Sequence, residues 1–174
     1  MLETVQRFGE RRKQQGDIFE EAPAFDFDAY SYVYNNTLVV IAIWGEDPKS
    51  AISVFGCARV GLVPTLDLYR YVATWRTSVG IGAPYVVEQD GLAAVMCDRE
   101  IPAGLVSSDT LRLNIAITVD LLQETQAALA ADLARADGYR LEEVSDRVRG
   151  AAVNVIDWWT VSDPRISSLI GLGA

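Results

Sequence analysis

An Asp90-Gly91 pair set between two apolar runs, Tyr85–Val87 and Leu92–Cys97, constrains this chain more than any other feature. A two-residue hairpin turn needs positive φ at its centre, which Asp and Gly tolerate, and it locks the register of the two strands it joins. Val87 then faces Ala94, Val86 faces Val95 and Tyr85 faces Met96. Side chains alternate along a strand. Tyr85, Val87, Ala94 and Met96 therefore share one side, and Val86, Ala93, Val95 and Cys97 the other. Both sides are apolar, as is Leu38–Trp44 throughout its length. An antiparallel sheet with one wet face shows polar residues at every second position. This sheet needs cover on both faces.

The rest of the chain supplies partners for such a sheet. Leu2, Val5 and Phe8 form a short helical stripe ending near Gly16. Phe25, Phe27 and Ala29 lead into Tyr30, Tyr32 and Tyr34 in an extended pattern, and Asn35-Asn36 reads as a turn. Leu38–Trp44 and Ala51–Ala58 follow as strands, separated by a polar turn with Asp47-Pro48. Pro64 and Thr65 open a helix carried by Leu66, Tyr69, Val72 (or Ala73) and Trp75 or Arg76, and Gly80-Ile81-Gly82 closes it. After the hairpin, Asp109 stands as an N-cap before the stripe Leu111, Ile115, Leu122, Leu129 and Leu133, which runs to about Ala136. Asp137-Gly138 breaks the chain. Leu141, Val144, Val148, Ala152, Val155 and Trp159 then resume a helical period up to Asp163-Pro164.

The expectation is one α+β domain with a five-stranded antiparallel sheet in the order α-βββ-α-ββ-α and an extra C-terminal helix. Residues 1–138 form the body. Residues 139–174 are an extension packed on the same domain or on a partner subunit. The apolar Val148 and Val155, with one or both of Trp158 and Trp159, are the candidate interface, since tryptophan anchors contacts out of proportion to its frequency. A homodimer is expected.

Composition narrows the function. The chain has no histidine, which removes the usual base near neutral pH, the Ser-His and Cys-His nucleophile pairs and the commonest metal ligand. Cys57 and Cys97 form no Cys-x-x-Cys pair and read as buried thiols acting as small hydrophobes. Gly80-Ile81-Gly82 precedes a strand, whereas a dinucleotide fingerprint leaves one. Asp26-Phe27-Asp28 starts like a calcium loop but lacks the later ligands. Asp67, Asp98 and Glu100 are carboxylates that only folding could bring together. Catalytic, cofactor and metal sites are therefore expected to be absent.

A net charge of −9 opposes a phosphate backbone, and the run Arg11-Arg12-Lys13 reads as a solvated helix end. Tyr30, Tyr32 and Tyr34 lack the basic neighbours that a base-stacking surface needs and read as a packed sheet face. With no leader pattern and no apolar run long enough to span a bilayer, a cytoplasmic location is expected, with neither nucleic acid nor membrane as partner.

The segments Pro84–Leu92, Glu100–Leu105 and Ser108–Leu113, taken with the element order, resemble the YbjN family. Its fold is similar to that of the type III secretion chaperones. The likeness covers about residues 2–133. Val72–Arg76 matches the family's Asn-rich stretch in keeping a Trp, but carries neither Asn. The resemblance implies a small α+β domain, often dimeric, with a chaperone-like or regulatory role. The functional expectation is a non-enzymatic protein-binding module that holds a partner segment on an apolar face. The alternative is a small-molecule sensor with a pocket lined by Tyr69, Trp75, Tyr85 and Met96.

Overall fold

A computed structural model describes residues 1–22, 27–45, 50–75, 82–89, 91–131 and 138–143. Its frame is an antiparallel sheet of six strands in the order β1-β2-β3-β4-β6-β5: β1 Phe19–Glu21, β2 Ala29–Tyr34, β3 Thr37–Trp44, β4 Ala51–Leu62, β5 Pro84–Gln89 and β6 Leu92–Pro102. Among the described residues three α-helices accompany it: α1 Leu2–Gln14, α2 Leu66–Thr74 and α3 Ser108–Ala131. The fold class is α+β as expected, with one strand more. β1 is three residues long, which gives a period-two pattern too little room to register.

Turn chemistry sets the sheet. Asn35 and Asn36 have φ of 47° and 60° and join Tyr34 to its partner Thr37, a two-residue turn whose twist suits the strands. Gly91 has φ of 77°, and the hairpin it closes pairs Tyr85 with Met96, Val86 with Val95 and Val87 with Ala94, the register the turn implies. Because α2 and β5 intervene, β6 returns between β4 and β5, so β4 pairs with β3 on one side and β6 on the other. Register shifts after Cys57 and after Arg59 mark bulges that let β4 run on to Leu62, beyond the expected end at Ala58.

The helices are delimited by caps. The N–H of Gly16 donates to Lys13 O and that of Asp17 to Arg12 O, and Gly16 has φ of +87°, which is the Schellman arrangement at the end of α1. The Thr65 hydroxyl accepts from the Leu68 N–H at 3.2 Å and starts α2. Thr65→Ala should cost about 1 kcal/mol, read as a shift in the urea midpoint. α2 ends at Thr74, short of the expected Gly80-Ile81-Gly82 stop. At α3 the cap is Ser107, not Asp109. Ser107 Oγ accepts from Thr110 N at 3.1 Å, while Thr110 Oγ1 accepts from Ser107 N at 2.8 Å, a reciprocal pair built like a capping box. Asp109 lies two residues further on, in the first turn, where its charge favours the positive helix end.

Main packing is between the three helices and one sheet face. Val5 and Phe8 from α1, Leu68, Tyr71 and Val72 from α2, and Leu111, Ile115, Val119, Leu122 and Leu129 from α3 all join the cluster formed by Val39, Ile41, Ile52, Val54, Val95 and Cys97. The α3 stripe falls where its spacing puts it, apart from Leu133, which lies outside the described residues. Gly56 makes this close approach possible: a Cβ there would run into Leu122 Cδ1 and lie 3.1 Å from Leu38 O. Gln123 Nε2 donates to Asn35 O and to Thr37 Oγ1, both at 3.0 Å, and ties α3 to the β2–β3 turn.

Around β1 the packing is aromatic. Phe8 meets the Tyr32 ring edge-on at 5.7 Å and Phe19 stacks on Tyr30 at 5.3 Å, so Tyr30 and Tyr32 are core residues rather than a stacking platform. Within the run Arg11-Arg12-Lys13, Arg12 is engaged by the fold rather than simply solvated. Its Nε donates to Asp17 Oδ2 at 2.6 Å, its guanidinium lies 5.8 Å from the Tyr32 ring centre, and the Tyr32 hydroxyl donates to the same Asp17 oxygen at 2.9 Å. Burial, then the bond to Asp17, pushes the Tyr32 hydroxyl up to about 12. Asp17→Asn should move the Tyr32 titration downward, followed by phenolate absorbance against pH; an unmoved curve would break the link.

At Leu141 the described chain differs from the expected start of a helix. Leu141 is 3% exposed and joins the first-face cluster. It begins no helix: Glu143 bridges Leu62, Val63 N donates to Glu142 O at 2.9 Å, and Arg59 Nε donates to Glu143 Oε1 at 2.7 Å. A leucine at helical spacing can equally serve an extended segment pinned to a strand end, and the pairing with β4 wins here. Val148, Val155, Trp158 and Trp159 lie outside the described residues.

Candidate interaction face

Strand alternation divides the molecule. Residues 39, 41, 52, 54, 93, 95 and 97 point to the helices, and Leu38, Val40, Ala42, Phe55, Cys57, Ala94 and Met96 point the other way. Ala22 and Ala29 complete this second cluster, and Ile18, Phe27, Val33, Val60 and Val87 border it. Among the described residues no helix contributes to it. Among the described residues the second face is thus an apolar layer built by strands and their connections, at the centre of which Val40 and Ala42 are fully buried.

Its rim is aromatic and acidic. Trp44, 41% exposed, packs on Phe27 with ring centres 4.0 Å apart. Tyr85, 38% exposed, lies at the opposite corner on β5, on the same side as Met96 with which it pairs. Asp98 pairs with Phe55, so it shares this side, and Glu100 follows two residues later. Burial, then the nearby Glu100 charge, pushes the Asp98 carboxyl up. Burial, then Asp98, pushes the Tyr85 hydroxyl up to about 12. Ser31 Oγ, on β2, is buried on this side and has no hydrogen-bond partner among the described residues.

The two cysteines sit back to back. Cys97 faces α3, its sulfur 3.8 Å from Thr125 Oγ1, while Cys57 belongs to the second face and donates to Arg59 O at 3.4 Å. They occupy adjacent strands but point to opposite sides, so no disulfide can join them. Burial above all pushes each thiol up to about 12, which keeps both protonated and unreactive near neutral pH.

The sequence-level candidates distribute differently from a site. Tyr69 and Trp75 lie on or beside α2, and Trp75 packs edge-on against Tyr71 at 5.4 Å on the first face. Tyr85 and Met96 lie on the second face. Of the four residues of the pocket reading, Trp75 packs with the first-face cluster and Met96 with the second, so the sheet lies between these two. Asp67 also stays apart from Asp98 and Glu100: its Oδ2 accepts from Arg140 N at 3.3 Å beside α2. Among the described residues no three His, Cys, Asp or Glu side chains gather as metal ligands, and no helix is long and apolar enough to cross a membrane. Trp44 was missed as a candidate because it ends an apolar run; its alternation with Ala42 and Val40 was the available signal.

No family model matches the sequence, and no curated protein matches it. Among solved structures, the chain is similar in fold to YbjN from E. coli, suggested to be a transcription regulator. The identity is 15% and the TM-score 0.46, over 76% of this chain and 93% of that chain. The α+β description rests on the sheet and helices themselves.

Proposed function

We propose that this chain is a non-enzymatic, chaperone-like or regulatory protein-binding module of the cytoplasm, and that the second sheet face receives a segment of its partner. The supporting observation is the asymmetry of the sheet: all three described helices pack on one side, and the other side is an equally apolar surface flanked by half-exposed Trp44 and Tyr85. Large aromatic side chains beside a desolvated apolar patch are the usual anchors of protein interfaces. The acidic surface charge fits a protein or peptide partner better than a nucleic acid. Two unpaired buried thiols fit a reducing compartment.

Affinity capture from native lysate of the source organism, read by mass spectrometry, tests this. The wild-type chain and a Leu113→Glu variant, altered on the outer side of α3, should retain one stoichiometric partner. Val87→Glu, at the border of the second face, should lose it while keeping its circular dichroism spectrum. Failure of the wild type to enrich any protein overturns the reading, as does full capture by Val87→Glu.

A further inference from the structure

We infer that the β6 border of the second face carries a subsite for an arginine side chain of the partner, received by Asp98 and Glu100 with Tyr85 beside them. The inference rests on the partner reading and names the chemistry of one contact within it. Strand alternation assembles the group. Asp98 and Glu100 follow Ala94 and Met96 on the same side of β6, about 7 Å apart along the strand. Tyr85 faces the same way from β5, in register with Met96, two residues before Asp98. These groups are reachable, since Glu100 is exposed, Asp98 half-buried and Tyr85 half-exposed.

The two carboxylates lack a counter-charge. Among the described residues neither takes part in an ion pair. Arg99 stands between them in sequence but points to the opposite side, where its Nε donates to Asn114 Oδ1 at 2.7 Å on α3. Glu100 is close enough to help push the Asp98 carboxyl up, after burial, as like charges sharing a site do. A second unmet demand adjoins the pair. Ser53 is in register with Glu100 on β4 and shares its side, which makes the two side chains direct neighbours. It is 6% exposed, and its hydroxyl has no hydrogen-bond partner among the described residues. A donor arriving beside Glu100 would satisfy it. The complement of this strip is a planar cation with several donors. A guanidinium presents five N–H groups in a fixed fork, enough for two carboxylates and a hydroxyl, and its flat face can lie on the Tyr85 ring.

NMR of the isotope-labelled full chain, titrated with Nα-acetylarginine amide, tests the subsite. Nα-acetylcitrulline amide, which keeps the shape but replaces the guanidinium by a neutral urea, is the control. The arginine probe should shift the side-chain carboxyl signals of Asp98 and Glu100 and the amide of Ser53, and should bind at least about tenfold more tightly than the control. Asp98→Asn/Glu100→Gln removes both charges at nearly constant size, so it relieves repulsion and should keep the amide spectrum elsewhere. That variant should lose the preference for the arginine probe. Equal shifts with both probes, no shift with either, a preference that survives the double variant, or shifts with calcium chloride but not with the arginine probe each overturn the subsite. Lysate capture separates this outcome from the partner reading. Undiminished capture of the partner by Asp98→Asn/Glu100→Gln overturns the subsite and leaves the reading standing. Capture of no protein by the wild type, with the arginine preference intact, supports the subsite and overturns the reading alone.

Discussion

Leu122→Ala is expected to destabilise the protein by about 2–5 kcal/mol, through lost burial and the cavity left behind. Leu122 is fully buried at the middle of α3 and enters the space that Gly56 leaves open on β4. Leucine and glycine form one interlocking contact there, so neighbours cannot easily collapse into the void. Leu113→Ala, on the solvent side of the same helix, should change stability by less than about 0.5 kcal/mol. Urea denaturation of the two variants measures the difference. A loss below about 1 kcal/mol for Leu122→Ala would mean that α3 does not seat on β4 as described.

Alkaline pH should unfold the chain well before its backbone chemistry fails. Cys57 and Cys97 have ordinary values of 9.0 and are held up to about 12, chiefly by burial. Tyr32, ordinarily 10.0, is also held up to about 12 by burial and by its bond to Asp17. A group whose folded value is raised binds its proton more tightly in the native state. Its contribution is therefore fully present below the unfolded value and is lost as pH rises through the folded one. For the thiols that window runs from about 9 to about 12, and for Tyr32 from about 10 to about 12. Each group within its window costs about 1.4 kcal/mol per pH unit. The two thiols alone thus give a slope near 3 kcal/mol per unit, on the order of a typical marginal stability within two units. Tyr85 shifts in the same direction but is partly solvated and contributes least. Urea midpoints should be level from pH 7 to 8.5 and fall steeply from 9 to 11. Cys57→Ala/Cys97→Ala should flatten the first part of that fall; an unchanged slope would locate the alkaline loss elsewhere.

The hairpin was the most legible part of this fold because a two-residue turn leaves no freedom of register. Once Asp90-Gly91 is placed, the two faces of β5 and β6 follow, and with them the separation of Cys97 and Met96 onto opposite sides. The α3 stripe was legible for a similar reason, since 24 residues repeat the helical period several times. Short and ambiguous signals were not. Three residues of β1 carry no period, and Ser107 and Asp109 are both good caps that only the Thr110 hydrogen bonds distinguish. Leu141 continued a helical spacing but is spent on the end of β4. In the pocket reading, Trp75 and Met96 lie on opposite sides of the sheet. Sequence spacing says that Tyr69 and Tyr85 are near in the chain, but not that the sheet lies between the side of α2 and the side of Met96. The need for cover on both faces was readable from apolar alternation, whereas which helices go to which side was not.

Site-specific photocrosslinking in cells tests the central claim, that the second face is the working surface, most directly. A photoreactive phenylalanine analogue replaces Tyr85 on the rim of that face, or Leu113 on the outer side of α3. The account predicts a discrete covalent adduct of this chain with one other protein from position 85 and none from position 113. An adduct from position 113 alone, or none from either, would contradict it.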